Sequence, residues 1–68
     1  MTDLTPRQQE ILDFIIDFKD RKEYSPSFDE IANRFGFCKK SAYDHVMVLK
    51  KKGYIDYTEK VSRSIRVI

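Results

Sequence analysis

Two helical patterns separated by one glycine, Gly36, limit most strongly how this chain can fold. The first pattern predicts a helix over about 28–35 and the second a helix over about 40–52, so only a few residues connect them. Glycine readily adopts the left-handed conformation that ends many helices, which makes Gly36 the expected cap of the shorter helix. A helix, a short turn containing glycine and a second helix form the helix-turn-helix unit.

A longer amphipathic helix is expected before this unit, over about 6–22. Thr5 and Gln8 form a capping box around its first residue, and Ser27 and Glu30 repeat that arrangement before the next helix. One face of the long helix is expected to be buried because its apolar residues recur at helical spacing. These residues are Ile11, Phe14, Ile15 and Phe18, with Leu12 and Ile16 widening the stripe.

The third helix is well defined at its end, before Gly53, but not at its start. The three residues 38–40 are weak helix caps, whereas Ser41 with Asp44 provides a later capping box. The first residue of this helix is therefore expected anywhere from 39 to 42.

The last part of the chain changes to a period of two, which indicates strands. Segments 55–58 and 64–68 alternate polar residues with β-branched and aromatic ones, and predict a hairpin over about 54–68, here called the wing. An isolated hairpin is marginal in water, so apolar residues of the wing must pack against the helices: Ile55, Ile65 and Val67. The predicted fold class is mainly α with a small β-hairpin, a three-helix winged helix-turn-helix forming one domain over residues 1–68.

The charges are divided unevenly along the chain. Residues 1–37 carry five basic and eight acidic side chains, whereas residues 38–68 carry eight basic and three acidic ones. This asymmetry suggests a polyanionic partner for the second half. With the helix-turn-helix order, it predicts binding to double-stranded DNA, whose major groove admits an α-helix that reads base edges.

Helical geometry assigns the DNA-facing side of the third helix as the side opposite Ala42, Val46 and Leu49. The residues expected to read bases lie there or on its flanks: Lys39, Lys40, Ser41, Tyr43, Asp44 and Val48. Lysine suits guanine, aspartate suits cytosine, and Tyr43 or Val48 can contact a thymine methyl group. Phosphate contacts are expected from the basic residues of the helix end and the wing: Lys51, Lys52, Lys60, Arg63 and Arg66.

An alternative function is that of a winged-helix adaptor that binds protein, with Tyr43, Met47 and Val48 as its contact patch. Catalysis is not expected, because Ser41 and His45 lie one helical turn apart without an orienting acid. No metal or cofactor is expected either, and His45 is assigned to packing of the third helix against the wing.

The single cysteine, Cys38, has two interpretations: it is a small residue that fills the turn, or it is a redox-sensitive thiol next to lysines. One cysteine without a signal peptide is typical of a reducing cytoplasm, and no segment is expected to span a membrane.

The residues above resemble the N-terminal DNA-binding domain of the LexA repressors, which control the bacterial DNA-damage response. The matching segments cover the chain: Leu4-Thr5-x-Arg7-Gln8-x-x-Ile11, Pro26-Ser27-x-x-Glu30-Ile31-Ala32, Phe35-Gly36-Phe37, His45-Val46-x-x-Leu49-x-x-Lys52-Gly53-x-Ile55 and Ser62-Arg63-x-Ile65. The resemblance implies a domain that binds a palindromic operator as a dimer in the bacterial nucleoid, and that is a monomer in isolation. It also implies base reading by Lys40, Ser41, Tyr43 and Asp44, and phosphate contacts by Arg7, Lys51 and Lys52.

The sequence departs from the family pattern in two places. Segment 37–45 is one residue shorter, with Cys38-Lys39-Lys40 where a serine-rich helix start is usual, so the family's own operator is not expected to carry over. The self-cleaving serine–lysine domain is not in this sequence, which implies no self-cleavage by this chain. An excised domain and a stand-alone module both fit, and the end after the last strand favours the first.

Overall fold

The computed structural model describes residues 4–61 and 63–68, and in them three helices precede two short strands. The elements are α1 (Pro6–Lys22), α2 (Phe28–Phe35), α3 (Lys39–Lys51), β1 (Ile55–Asp56) and β2 (Arg66–Val67). The predicted fold class is confirmed, and the bounds of α1 and α2 are as expected. Ser62, which is part of a family segment noted above, lies outside the described residues. Within those residues no helix is both long and apolar enough to cross a membrane.

The first two helices begin with the predicted capping boxes. The Thr5 hydroxyl accepts from the Gln8 amide at 3.2 Å, and the Gln8 side chain accepts from the Thr5 amide at 3.1 Å. Ser27 and Glu30 form the same pair of bonds at 3.2 and 2.9 Å. Gly36 ends α2 in the left-handed conformation, with φ 75°. Local sequence therefore defines both ends of α2, the helix that leads into the turn.

The third helix lies one residue earlier at each end than its expected span of about 40–52. Cys38 is its N-cap residue and makes no side-chain cap hydrogen bond, whereas Ser41 lies inside the helix. The alternative start at a capping box of Ser41 and Asp44 is therefore wrong. Packing explains the earlier start: Ala42 is fully buried, and tertiary burial can hold a first turn that no side chain caps.

The core lies between the three helices and one side of the wing. Its buried apolar residues are Ile11, Leu12, Ile15, Phe18, Ile31, Ala32, Ala42, Val46, Leu49, Ile55, Tyr57 and Ile65. Three residues expected in the core are not fully part of it: Phe14 is half-buried and packs against it, Ile16 is 39% exposed and Val67 is 40% exposed. Ile16 lies about 100° around the helix from Ile15, so the buried stripe of α1 is narrower than predicted. Val67 pairs with Ile55 in a sheet of two strands, which the helices cover only in part.

The wing has much shorter strands than predicted. Within the described part of the chain, the antiparallel sheet has two pairs, Ile55 with Val67 and Asp56 with Arg66. Side-chain hydrogen bonds replace the ladder further out: the Ser64 hydroxyl accepts from the Thr58 amide at 2.9 Å and lies 3.1 Å from the Thr58 carbonyl oxygen. The connection therefore folds back on its own side chains instead of extending the strands.

Candidate nucleic-acid interface

The side of α3 away from the core carries three exposed charged residues. Ala42, Val46 and Leu49 are fully buried and fix the orientation of the helix. Lys40, Asp44 and Lys51 are exposed and fall within about 40° of one another around the axis. We call these three residues the exposed face of α3. Flanking them, Ser41, Met47 and Val48 are half-buried. A helix of this length presents a ridge of about 20 Å, suited to a DNA groove.

Three of the lysines predicted to contact DNA point into solvent without a partner in the described fold. Lys40, Lys51 and Lys60 are exposed. Among the described residues, none forms an ion pair or hydrogen bond with the side chain of any of these three. Their charges are therefore not neutralised within the described fold, which is what contact with a polyanion requires.

A groove joins the start of α3 to the wing. It has a volume of about 240 Å³, and Lys39, Lys60, Arg63 and Val61 line it together with Phe28 of α2. Lys39 lies 3.8 Å from the Asp29 carboxylate, in a pair whose two side chains are about 70% exposed. Such an exposed pair is weak. The fold thus brings two of the predicted DNA-contacting lysines, Lys39 and Lys60, to opposite sides of one groove.

Tyr43 is turned towards the wing. Its ring centroid lies 5.5 Å from that of Phe28 and 6.2 Å from that of Tyr57. Its hydroxyl donates to the Glu59 carboxylate at 3.2 Å. Burial, and then the hydrogen bond with Tyr43, raises the pKa of Tyr57 above its usual value. This aromatic cluster fixes the wing against α2 and α3, and half-buries a residue that the adaptor hypothesis needs on an open patch.

Arg7 and His45 meet at the turn between α2 and α3. The Arg7 guanidinium lies 5.5 Å from the centroid of the Phe37 ring, and His45 stacks on the same ring at 4.9 Å. The predicted packing of His45 against the wing is therefore wrong, because its side chain lies on the opposite flank of α3 from Tyr43. Nearby, the Lys52 ammonium donates to the side chain of Gln8 at 3.3 Å.

The two arginines of the wing make contacts within the chain. Arg63 donates to the Glu30 carboxylate at 2.7 Å and to the Ser25 carbonyl oxygen at 3.2 Å. Arg66 donates to the Asp56 carboxylate at 2.8 Å. The Tyr57 amide, and then Arg66, lowers the pKa of Asp56. Arg66 also lines a separate groove with Lys19 that contains no residue of α3. The structure thus does not bring Arg66 to the exposed face of α3.

Comparison with known proteins agrees with this geometry. The sequence model of the LexA DNA-binding domain matches residues 1–64. The chain belongs to the LexA DNA-binding domain family. It is 44% identical over 68 residues to the LexA repressor of Thermosipho africanus and 40% identical over 68 residues to that of Leptospira biflexa. Both alignments cover 100% of this chain and 34% of the relative.

A third relative, the LexA repressor of Thermotoga petrophila, is 43% identical over 67 residues, or 98% of this chain and 34% of that protein. The chain spans about a third of the length of the curated relatives that it matches. Family membership confirms the resemblance drawn from the sequence, and with it the prediction of a DNA-binding domain.

The remaining polar feature of this LexA-family domain is the start of α3. The Cys38 sulfur lies 3.3 Å from the Ser41 hydroxyl. The hydrogen bond with this hydroxyl is the largest cause that lowers the pKa of the exposed Cys38 thiol, and backbone amides at the helix start add to it. Across residues 4–61 and 63–68, no three Cys, His, Asp or Glu side chains are placed to hold a metal ion.

Sequence reasoning missed the contacts that hold the wing in place. Arg63 with Glu30 and Tyr43 with Glu59 join residues that are 33 and 16 positions apart. Periodicity places a residue on a face of its own element but does not pair elements. One signal was available in the sequence: α2, α3 and the wing each carry an aromatic residue, Phe28, Tyr43 and Tyr57, and such residues often pack together.

Proposed function

We propose that this LexA-family domain reads an operator through the exposed face of α3 while the wing lies along the adjacent phosphate backbone. The relatives are named LexA repressors, which supports a role as the DNA-reading module of a bacterial or phage repressor at the nucleoid. One observation carries the proposal: Lys40 and Lys51 project from a helix whose opposite side is fully buried, and no described residue neutralises them.

Base reading is assigned to the first half of α3. Lys40 suits guanine O6 and N7, and Asp44, one helical turn further on, suits the amino group of cytosine. Ser41 and Val48 are half-buried flanks that can reach the groove edge, and Lys39 can join them because its pairing with Asp29 is weak. Tyr43 can take part only with the part of its ring that the wing leaves open.

Phosphate contact is assigned to cations at the margins. Lys51 and Lys52 lie at the end of α3, Arg7 beside the turn, and Lys60 at the wing side of the groove. The binding free energy would then contain a large counterion-release contribution, so the affinity would fall steeply with salt. Arg66 fits this role least, since it pairs with Asp56 outside that margin.

The size of the domain supports two copies on a palindrome. The domain measures 29 × 24 × 22 Å, whereas successive half-sites on one side of the duplex are about 34 Å apart. One domain therefore covers one half-site, and a palindromic operator would take two copies. A single copy on a single half-site would bind weakly.

The proposal is tested by selecting bound duplexes from a random pool and measuring affinity for a selected and a scrambled duplex by fluorescence anisotropy. Lys40→Ala should reduce discrimination at one base pair by about 1–3 kcal/mol. Lys51→Ala should weaken both duplexes evenly and lower the slope of log affinity against log salt by about 0.9. Equal discrimination by Lys40→Ala and the parent protein would remove Lys40 from the reading set, and no binding of any duplex at low salt would refute the proposed function.

A further inference from the structure

The guanidinium of Arg63 lies against the start of α2, with the Arg63 side chain 41% exposed. Its Nη1 lies 2.7 Å from Glu30 Oε1 and 3.2 Å from the Ser25 carbonyl oxygen. The Tyr24 ring centroid lies 4.6 Å from the central carbon of the same group. One wing side chain therefore contacts both the segment that leads into α2, at Tyr24 and Ser25, and the first turn of α2, at Glu30.

Glu30 serves two purposes with one oxygen. Oε1 accepts from the Ser27 amide at 2.9 Å, which closes the capping box, and also from Arg63. The Ser27 amide, and after it Arg63, lowers the pKa of Glu30 against the opposing effect of burial. The carboxylate is therefore charged at neutral pH and largely neutralises the guanidinium. This pairing reduces the net charge that the wing offers to a phosphate at this position.

The backbone between the two wing strands is strained at two residues. Arg63 has φ 56° and Lys60 has φ 63°, both in the left-handed region that costs a residue with a side chain free energy. Ser64 holds the connection from inside, with its hydroxyl 2.9 Å from the Val61 carbonyl oxygen. Arg63 holds it from outside, by attaching it to α2.

We infer that Arg63 is a positioning residue: it acts through Glu30 to fix the wing, and so Lys60, against the helix-turn-helix unit, and does not itself contact phosphate. This role replaces the phosphate contact expected of Arg63 from the sequence. The inference rests on the proposed function, because its effect on DNA requires that the wing meets the duplex.

The two roles of Arg63 predict opposite effects of Glu30→Gln. Glutamine retains the capping box but removes the negative charge. If Arg63 contacted phosphate, Glu30→Gln would release it and strengthen binding. If Arg63 positions the wing, Glu30→Gln weakens binding to a selected duplex by about fivefold, as expected for one partly exposed ion pair.

The measurement is anisotropy over a salt series with Glu30→Gln, Arg63→Gln and the double variant. We expect all three to bind about equally weakly, because the same Arg63–Glu30 contact is lost in each and the free wing is less ordered. The parent's salt slope should be kept, because Lys60 still meets phosphate once the complex has formed. Asp29→Asn is the matched control: it removes the same charge one residue away and also frees Lys39 from its 3.8 Å pair, so it should bind as tightly as the parent or more tightly. Additive losses, tighter binding by Glu30→Gln, or a slope lowered by about 0.9 in Arg63→Gln would each overturn the inference.

A measurement without DNA separates this inference from the proposed function. In Arg63→Gln and Glu30→Gln, the ¹⁵N heteronuclear NOE of residues 58–61 should fall while that of α1 and α3 is unchanged. Unchanged values in the wing would overturn the positioning role even if the parent protein binds DNA. A fall in both variants would retain it as a property of the fold even if no duplex binds.

Discussion

Replacing Gly36 by alanine measures the free energy that the left-handed conformation costs in the turn between α2 and α3. Gly36 has φ 75°, and a Cβ added there would meet no atom within 4 Å, so no steric clash contributes. The left-handed conformation costs a residue with a Cβ about 1–2 kcal/mol. Alanine also restricts the unfolded chain, which returns about 0.4–1 kcal/mol. The net loss in the free energy of unfolding is therefore about 1 kcal/mol.

For a domain of this size a loss of about 1 kcal/mol lowers Tm by roughly 4–8 °C. Thermal unfolding followed by circular dichroism measures it, and Gly36→Asn is the matched control because asparagine tolerates the left-handed region better. Well below Tm, Gly36→Ala should bind a selected duplex like the parent, since the folded turn is unchanged. An unchanged Tm, or an asparagine variant less stable than the alanine variant, would refute the reasoning.

Three further predictions concern the core, the wing and pH. Ile31→Ala should lower the free energy of unfolding by about 2–5 kcal/mol in urea titrations, because Ile31 is fully buried. The control Ile16→Ala, at an exposed site, should cost less than about 1 kcal/mol. Equal losses would contradict the difference in burial between Ile31 and Ile16. Tyr43→Phe keeps the ring but loses the hydrogen bond to Glu59, so duplex selection should return the same sites at a stability cost below about 1 kcal/mol; a changed consensus would make Tyr43 a base reader. The pKa of Glu30 is lowered from 4.5, so its contribution to stability is complete above that value and is lost as the pH falls through the lowered pKa. The urea midpoint of Glu30→Gln should therefore depend less on pH below about pH 5 than that of the parent. Parallel pH profiles of the two proteins would contradict the ion pair.

Local signals in the sequence were sufficient for the helices. Thr5, Ser27 and Gly36 act on neighbours within a few residues, and the structure has the caps that these residues predict. The start of α3 shows where such signals fail. No side chain caps it, so its register depends on burial of Ala42, which is a property of the assembled core.

The sequence predicted that the wing is a hairpin, but not how short its strands are or which contacts hold it. Alternating residues indicated strands, yet the Ser64 hydroxyl takes over hydrogen bonds that a longer ladder would have made. Arg63 was assigned by its charge to an external partner because Glu30 lies 33 residues away in the sequence. Charge alone does not distinguish an arginine that binds a partner from one that fastens two elements together.

In the proposed complex, α3 enters the major groove of DNA with Lys40, Asp44 and Lys51 facing the bases. The most direct measurement is a ¹H–¹⁵N titration of the ¹⁵N-labelled domain with a selected duplex. The proposal predicts the largest amide shifts in residues 39–52 and in the wing near Lys60, with small shifts in residues 13–22 of α1. Largest shifts in residues 13–22, or no shifts at a duplex concentration that saturates anisotropy, would contradict it.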